Sequence, residues 1–159
     1  MNKVMPVIAD PSHSNMIKIP LTGTSMWPVL KPGDTLFVEV FSHISPVTEI
    51  GDILIGRLNG EFVAHRLIHQ VPHNIMKGDF GLYVDNENHP FGRVLGIERA
   101  HKVIWWGLSG QPMKKYFAYL SKIRSSEKPR ILRRLALTII HLLSMCSIPA
   151  ELKYGQERS

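Results

Sequence analysis

The sequence predicts a mainly β fold followed by a helical C-terminal segment. Three observations lead there. Between residues 17 and 104, short β-branched and aromatic runs alternate with turns rich in Gly, Pro, Asn and Asp. One of those turns is Asn59-Gly60, a strong two-residue hairpin signal. After Gly107 the character changes to two helix-like stretches around the break Ser125-Ser126-Glu127-Lys128-Pro129.

Each element has a local reason. Residues 35–40 (TLFVEV) read as a strand entered through the Lys31-Pro32-Gly33-Asp34 turn, where Pro sets φ and Gly allows positive φ. Residues 53–58 are a second strand after Gly51-Asp52, and residues 61–68 return from the Asn59-Gly60 hairpin. Met76-Lys77-Gly78-Asp79 and Asp85-Asn86-Glu87-Asn88 read as turns. Residues 92–97 and 102–106 read as closing strands. Residues 113–122 fit a helix with basic and aromatic faces. Residues 130–148 fit a second helix that ends before Pro149, with Ser125 or Ser126 as its cap and Pro129 in its first turn. No internal repeat is present.

The expected organisation is an N-terminal extension at 1–16, a β-domain at 17–107 and a basic helical tail at 108–159. The 159 residues suit one domain with an appendage. Apolar residues at 44% and charged residues at 20% exclude wholesale disorder. The lone Cys146 excludes a disulfide framework and a Cys-cluster zinc site. His69 and His73 have i, i+4 spacing, but Pro72 argues against the helix that would make them a metal pair. The expectation is no metal and no cofactor.

Charge divides the chain. The first 100 residues hold 8 Lys/Arg and 10 Asp/Glu, while residues 101–159 hold 11 and 3, so the net +6 comes from the last third. A basic segment beside a near-neutral domain suggests an anionic surface, either membrane or nucleic acid. Residues 135–148 are apolar apart from Thr138, His141 and Ser144. As a helix they span roughly 21 Å, short of a hydrocarbon core of about 30 Å. They suit a membrane interface, a partner or the domain's own core. Trp105-Trp106 with Lys114, Lys115, Tyr116, Phe117 and Tyr119 adds an aromatic-basic cluster of the kind found at membrane interfaces. Residues 113–148 are therefore the expected contact with an anionic membrane, and nucleic acid is the least favoured partner. The first 19 residues lack a signal-peptide pattern, because residues 10–14 (DPSHS) interrupt any apolar run. A cytoplasmic protein, or one peripheral at the inner membrane face, is the expectation.

The chemistry concentrates around Gly23-Thr24-Ser25-Met26-Trp27-Pro28, followed by Gly33-Asp34. Downstream stand Gly51-Asp52, His65-Arg66 within an apolar strand, and Lys77-Gly78-Asp79 with Asp85 six residues on. In this order the set resembles the signal peptidase I family, most closely its endoplasmic-reticulum and archaeal branch. The wider superfamily includes self-cleaving repressors and plasmid conjugation peptidases. The resemblance spans Gly23 to about Gly96. It implies a small peptidase β-fold of twisted antiparallel sheets and a serine endopeptidase that removes a signal or leader peptide from a precursor.

The roles implied agree with the chemistry. A serine hydroxyl needs a base within hydrogen-bond reach to act as a nucleophile. Many relatives use lysine, but here the matching strand position is His65. A histidine needs no strong desolvation to be neutral near pH 7. Ser25 is thus the expected nucleophile and His65 the general base. Asp85 is the expected orienting acid, with Asp79 as the second candidate or as a loop-holding residue. A strained turn at Gly23 would present the Ser25 N–H, with Thr24, as the oxyanion hole. Met26, Trp27 and Pro28 are expected to shape a groove for a substrate bound as an extended strand.

The family's usual Asn after Lys-Gly-Asp is Phe80 here, and neither an N-terminal anchor nor a large second β-domain is evident. A small dedicated peptidase acting on a cytoplasmic leader peptide fits better than a housekeeping enzyme. Two other readings remain. One is an inactive or auxiliary member that binds peptide or membrane. The other is a repressor-like, DNA-linked regulator, for which the 22 residues ahead of Gly23 are too few to hold a helix-turn-helix domain.

Overall fold

A computed structural model describes residues 15–42, 47–58, 61–70, 73–85, 89–107 and 111–146. The expected Asn59-Gly60 turn, residues 86–88 of the second expected turn and residues 147–148 of the second helix lie outside these. So does nearly all of the 1–16 extension.

Among the described residues, seven strands form one antiparallel sheet followed by two helices. The strands are β1 (Met16–Pro20), β2 (Thr35–Val40), β3 (Ile53–Leu58), β4 (Glu61–His69), β5 (Ile75–Lys77), β6 (Gly92–Arg99) and β7 (Lys102–Trp105). The helices are α1 (Lys114–Ile123) and α2 (Arg130–Cys146). The spatial order is β1-β2-β6-β3-β4-β5, with β7 also on β6. The fold is mainly β, as the strand-and-turn punctuation predicts.

The period of two sorts the side chains, reset on β6 by the register shift opposite Phe37 and Val38. Leu36, Val38, Ile53, Ile55, Ala64, Val94 and Ile97 point into the main core with Met26, Val29 and Leu30. Phe37 and Leu95 face the other side with Met16. Leu54, Leu67 and Met76 form a third cluster. β6 is buried along most of its length because it is flanked on both edges. Gly92 and Gly96 allow this: a Cβ there would stand 2.6 Å from Val38 Cγ1 and 2.6 Å from the Ile104 carbonyl oxygen, respectively.

The helices share this core. Phe117 of α1 and Ile140 of α2 are fully buried within the main cluster. Burial of such side chains contributes about 2–3 kcal/mol each. α1 therefore packs on the sheet and α2 packs on α1, with Ile140 reaching the core, so the helices do not trail from the domain. The serines at 125 and 126 do not cap α2. Ser126 N–H donates to the Leu82 carbonyl, while the Pro129 carbonyl accepts from Arg133 N–H and opens the helix.

Both Gly-Asp turns are built alike. Gly33 and Gly51 have φ of 93° and 99°, where L side chains are strained. The following aspartate accepts the N–H three residues back: Asp34 from Lys31 at 2.8 Å and Asp52 from Glu49 at 2.9 Å. Each aspartate then anchors a distant cation. Arg99 donates to Asp34 at 2.7 and 2.6 Å, and Lys114 donates to Asp52 at 2.7 Å. A Cβ on Gly51 would lie 2.4 Å from the Lys114 carbonyl oxygen, so α1 seats directly on this turn.

A further sequence expectation is corrected. Met76 and Lys77 are not in a turn but in β5, paired with Leu67 and Arg66 of β4. Three residues with little alternation do not announce a strand, and only the neighbouring ladder creates it.

Candidate active site

The sheet assembles the site through its registers. His65 lies on β4, opposite Leu54 of β3. Along β4 its side chain shares a face with Leu67, two residues on. Leu67 pairs with Met76, and Met76 in turn bridges to Asp85. Cross-strand partners share a face, so Asp85 arrives on the His65 side of the sheet. There His65 Nδ1 hydrogen-bonds the Asp85 carboxylate. Both side chains are largely buried, at 10% and 14% exposed. With Nδ1–H donating to Asp85, the lone pair of the neutral ring sits on Nε2.

The Ser25 turn is held against the same region. Continuing the β4–β5 register by one residue places Gly78 opposite His65. Ser25 packs on that glycine. A Cβ on Gly78 would stand 2.6 Å from the Ser25 carbonyl oxygen and 3.0 Å from its Cβ. The next contact is Phe80 N–H donating to the Ser25 carbonyl at 2.8 Å. Among the described residues, Ser25 and His65 are not hydrogen-bonded to each other.

The helical segment braces this turn. Arg124, just past α1, donates through Nε and Nη2 to the Phe80 carbonyl at 3.1 and 2.8 Å. Its guanidinium also covers the Phe80 ring. Trp27 packs edge-on against Phe80 and stacks at a tilt on His141 of α2.

Asp79 has a different place from Asp85. It is fully buried and receives Arg66 Nε at 2.9 and 3.2 Å and Nη2 at 2.6 Å. Arg66 also reaches the Gly51 carbonyl and the Gln111 amide oxygen, and lies over the Phe117 ring. Period two sends Arg66 and His65 to opposite faces of β4. Asp79 therefore serves the core under α1, while Asp85 serves His65.

Lys77 is fully buried beside the site. Its Nζ donates to the carbonyls of Gly81 at 2.7 Å and Gly78 at 3.1 Å. Burial lowers its pKa to about 8, against the opposing pull of Asp79. Arg124 lowers it further and Asp85 raises it.

The remaining expected residues fall as follows. Gly23 and Thr24 are exposed, and the Thr24 carbonyl accepts Trp27 N–H at 3.0 Å. Gly23 is not in the left-handed region and a Cβ there would meet open space, so the expected strain at Gly23 is absent. Met26 and Pro28 do not line a groove. Met26 is 1% exposed and belongs to the main core, and Pro28 is buried after a cis Trp27–Pro28 bond. The Ser-Met-x-Pro segment thus plugs into the core and leaves Ser25 at its rim. Sequence reasoning missed Arg124 and His141, whose contacts at the site come from elements more than 40 residues away.

The chain matches no family model, no curated protein and no solved structure.

Proposed function

We propose that this protein is a serine endopeptidase that cleaves a signal or leader peptide from a precursor. The observation that carries the reading is the His65–Asp85 pair beside the strand position on which Ser25 is seated. The ordered motifs from Gly23 to Asp85, which resemble signal peptidase I, point the same way.

In this reading Ser25 Oγ attacks the scissile carbonyl carbon while His65 Nε2 takes the hydroxyl proton. Asp85 holds the ring orientation and stabilises the imidazolium. The Ser25 N–H donates to no backbone carbonyl among the described residues, which suits it to the oxyanion. The tetrahedral adduct collapses as the C–N bond breaks and His65 returns the proton to the leaving amine. Water, deprotonated by His65, then hydrolyses the Ser25 ester. Asp79 belongs to the supporting core in this scheme.

The test is digestion of a diverse peptide pool, read by mass spectrometry, with the Ser25→Ala protein alongside. Cleavage by the parent alone supports the reading, and the cut sites define the specificity. Identical fragment patterns from both proteins, or no cleavage of the pool and of precursors from the same genomic source, would overturn it.

A further inference from the structure

α2 has two faces, and among the described residues only one packs against the fold. Ala136, Ile140 and Ser144, spaced four apart, are buried. At about 100° per residue, Ile131, Leu135, Leu142 and Met145 fall within a sector of about 80° centred opposite Ile140. These four are 53–80% exposed. The stripe is continuous except for exposed Thr138.

The charges around the stripe are one-sided. Lys128, Arg130 and Arg134 are exposed at its start, with Glu127 the one acid between residues 113 and 146. Eight Lys/Arg lie in that span, so it carries more than the whole chain's net charge. The first turn of α2 contains no acid. Arg130, Arg133 and Arg134 therefore crowd the positive end of the helix dipole, where anions are favoured. Arg133 also stands near enough to Arg124 to lower its pKa, second to the effect of burial. By contrast, Lys114 at the start of α1 is neutralised by Asp52 and Glu49. Cations that no acid among the described residues neutralises, set next to an apolar face, call for an anionic, partly apolar surface.

We propose that α2 docks on an anionic lipid bilayer, lying in the headgroup plane with its apolar stripe inward and its arginines on phosphate. Its 17 residues span about 25 Å, and no helix among the described residues is long and apolar enough to cross a membrane. An interfacial orientation fits such a helix. Nucleic acid would leave the apolar stripe in water, and a second copy packed stripe to stripe would bring no acid from its own α2 to the arginine cluster. The proposal does not rest on the peptidase reading.

The test uses the full chain in co-sedimentation with vesicles of phosphatidylcholine, with and without about one-third phosphatidylglycerol. Wild-type protein is expected on the anionic vesicles only, and to be released by high salt. The Arg130→Gln/Arg134→Gln variant should bind about 30-fold more weakly, on the order of fivefold per cation. Leu135→Asn/Leu142→Asn should lose at least about tenfold. Both pairs are exposed, and thermal melts check that the variants stay folded. The wild-type comparison between the two vesicles needs no variant. Equal binding to neutral vesicles, or no binding to anionic ones, would overturn the proposal. So would a dimer in sedimentation equilibrium that Leu135→Asn/Leu142→Asn dissociates while lipid binding is absent, because the face would then belong to a second copy.

Discussion

Replacing Asp79 and Asp85 one at a time by alanine separates two carboxylates that lie six residues apart. Asp79 and Arg66 are both fully buried and joined by three close contacts. Asp79→Ala leaves the Arg66 guanidinium in the core with the Gly51 carbonyl, the Gln111 amide oxygen and the Phe117 ring but no counter-charge in hydrogen-bond reach among the described residues. Breaking a buried pair from one side costs about 3–5 kcal/mol. For a domain of this size that is a large share of a total stability of about 5–15 kcal/mol. It corresponds to a drop in Tm of about 10–15 °C. Asp85→Ala removes one hydrogen bond and strands no guanidinium in the core. Its cost is about 1–2 kcal/mol.

Urea unfolding followed by tryptophan fluorescence measures both variants against the parent. The double variant Arg66→Met/Asp79→Leu should recover on the order of 2 kcal/mol relative to Asp79→Ala, because no charge is then stranded. Asp85→Asn, in contrast, should reduce Ser25-dependent turnover by about a thousandfold or more while the fold persists. If Asp79→Ala were as mild as Asp85→Ala, or the order were reversed, the division of labour between core and site would be refuted.

Two other predictions concern the same loop. Lys77 has a pKa near 8, below the ordinary 10.5, so the unfolded chain binds its proton more tightly. Stability should therefore rise with pH between about 8 and 10.5, by up to about 3 kcal/mol, and Lys77→Met should flatten that rise relative to wild type in pH-resolved urea titrations. Gly78→Ala places a Cβ 2.6 Å from the Ser25 carbonyl oxygen. It should cost about 1–3 kcal/mol in chemical denaturation, with a larger proportional loss of Ser25-dependent cleavage.

Local chemistry made much of the fold legible. The strands at 35–40 and 53–58 fall where the β-branched runs and Gly-Asp turns place them, because those signals lie within a few residues of each other. β4, β6 and both helices agree to within one or two described residues. β6 continues to Arg99 where the expected strand ends at 97, since Glu98 and Arg99 find partners in β2 and β7. Its hairpin turns through Ala100 and His101 at φ of 49° and 63°, without the Asn or Gly that would advertise it. β1 and β5 were illegible for the same reason: a short strand exists only because a neighbour pairs with it.

Read alone, the chain's residues already specify the mainly β class, the two Gly-Asp turns, the helical C-terminal segment and the short set of Ser, His and Asp candidates. Turn geometry, side-chain period and residue chemistry are short-range properties, and they are written in adjacent residues. The choice between the carboxylates is tertiary, since Asp85 meets His65 through the β4–β5 pairing and a single bridge from Met76, while Asp79 meets Arg66 beneath α1. It also moved Met26 and Pro28 from a groove into the core, and set Arg124 and His141 behind the Ser25 turn. Those outcomes depend on which face of a strand is covered and by what. Contacts between residues 13 to 114 positions apart settle that, and no local pattern encodes them.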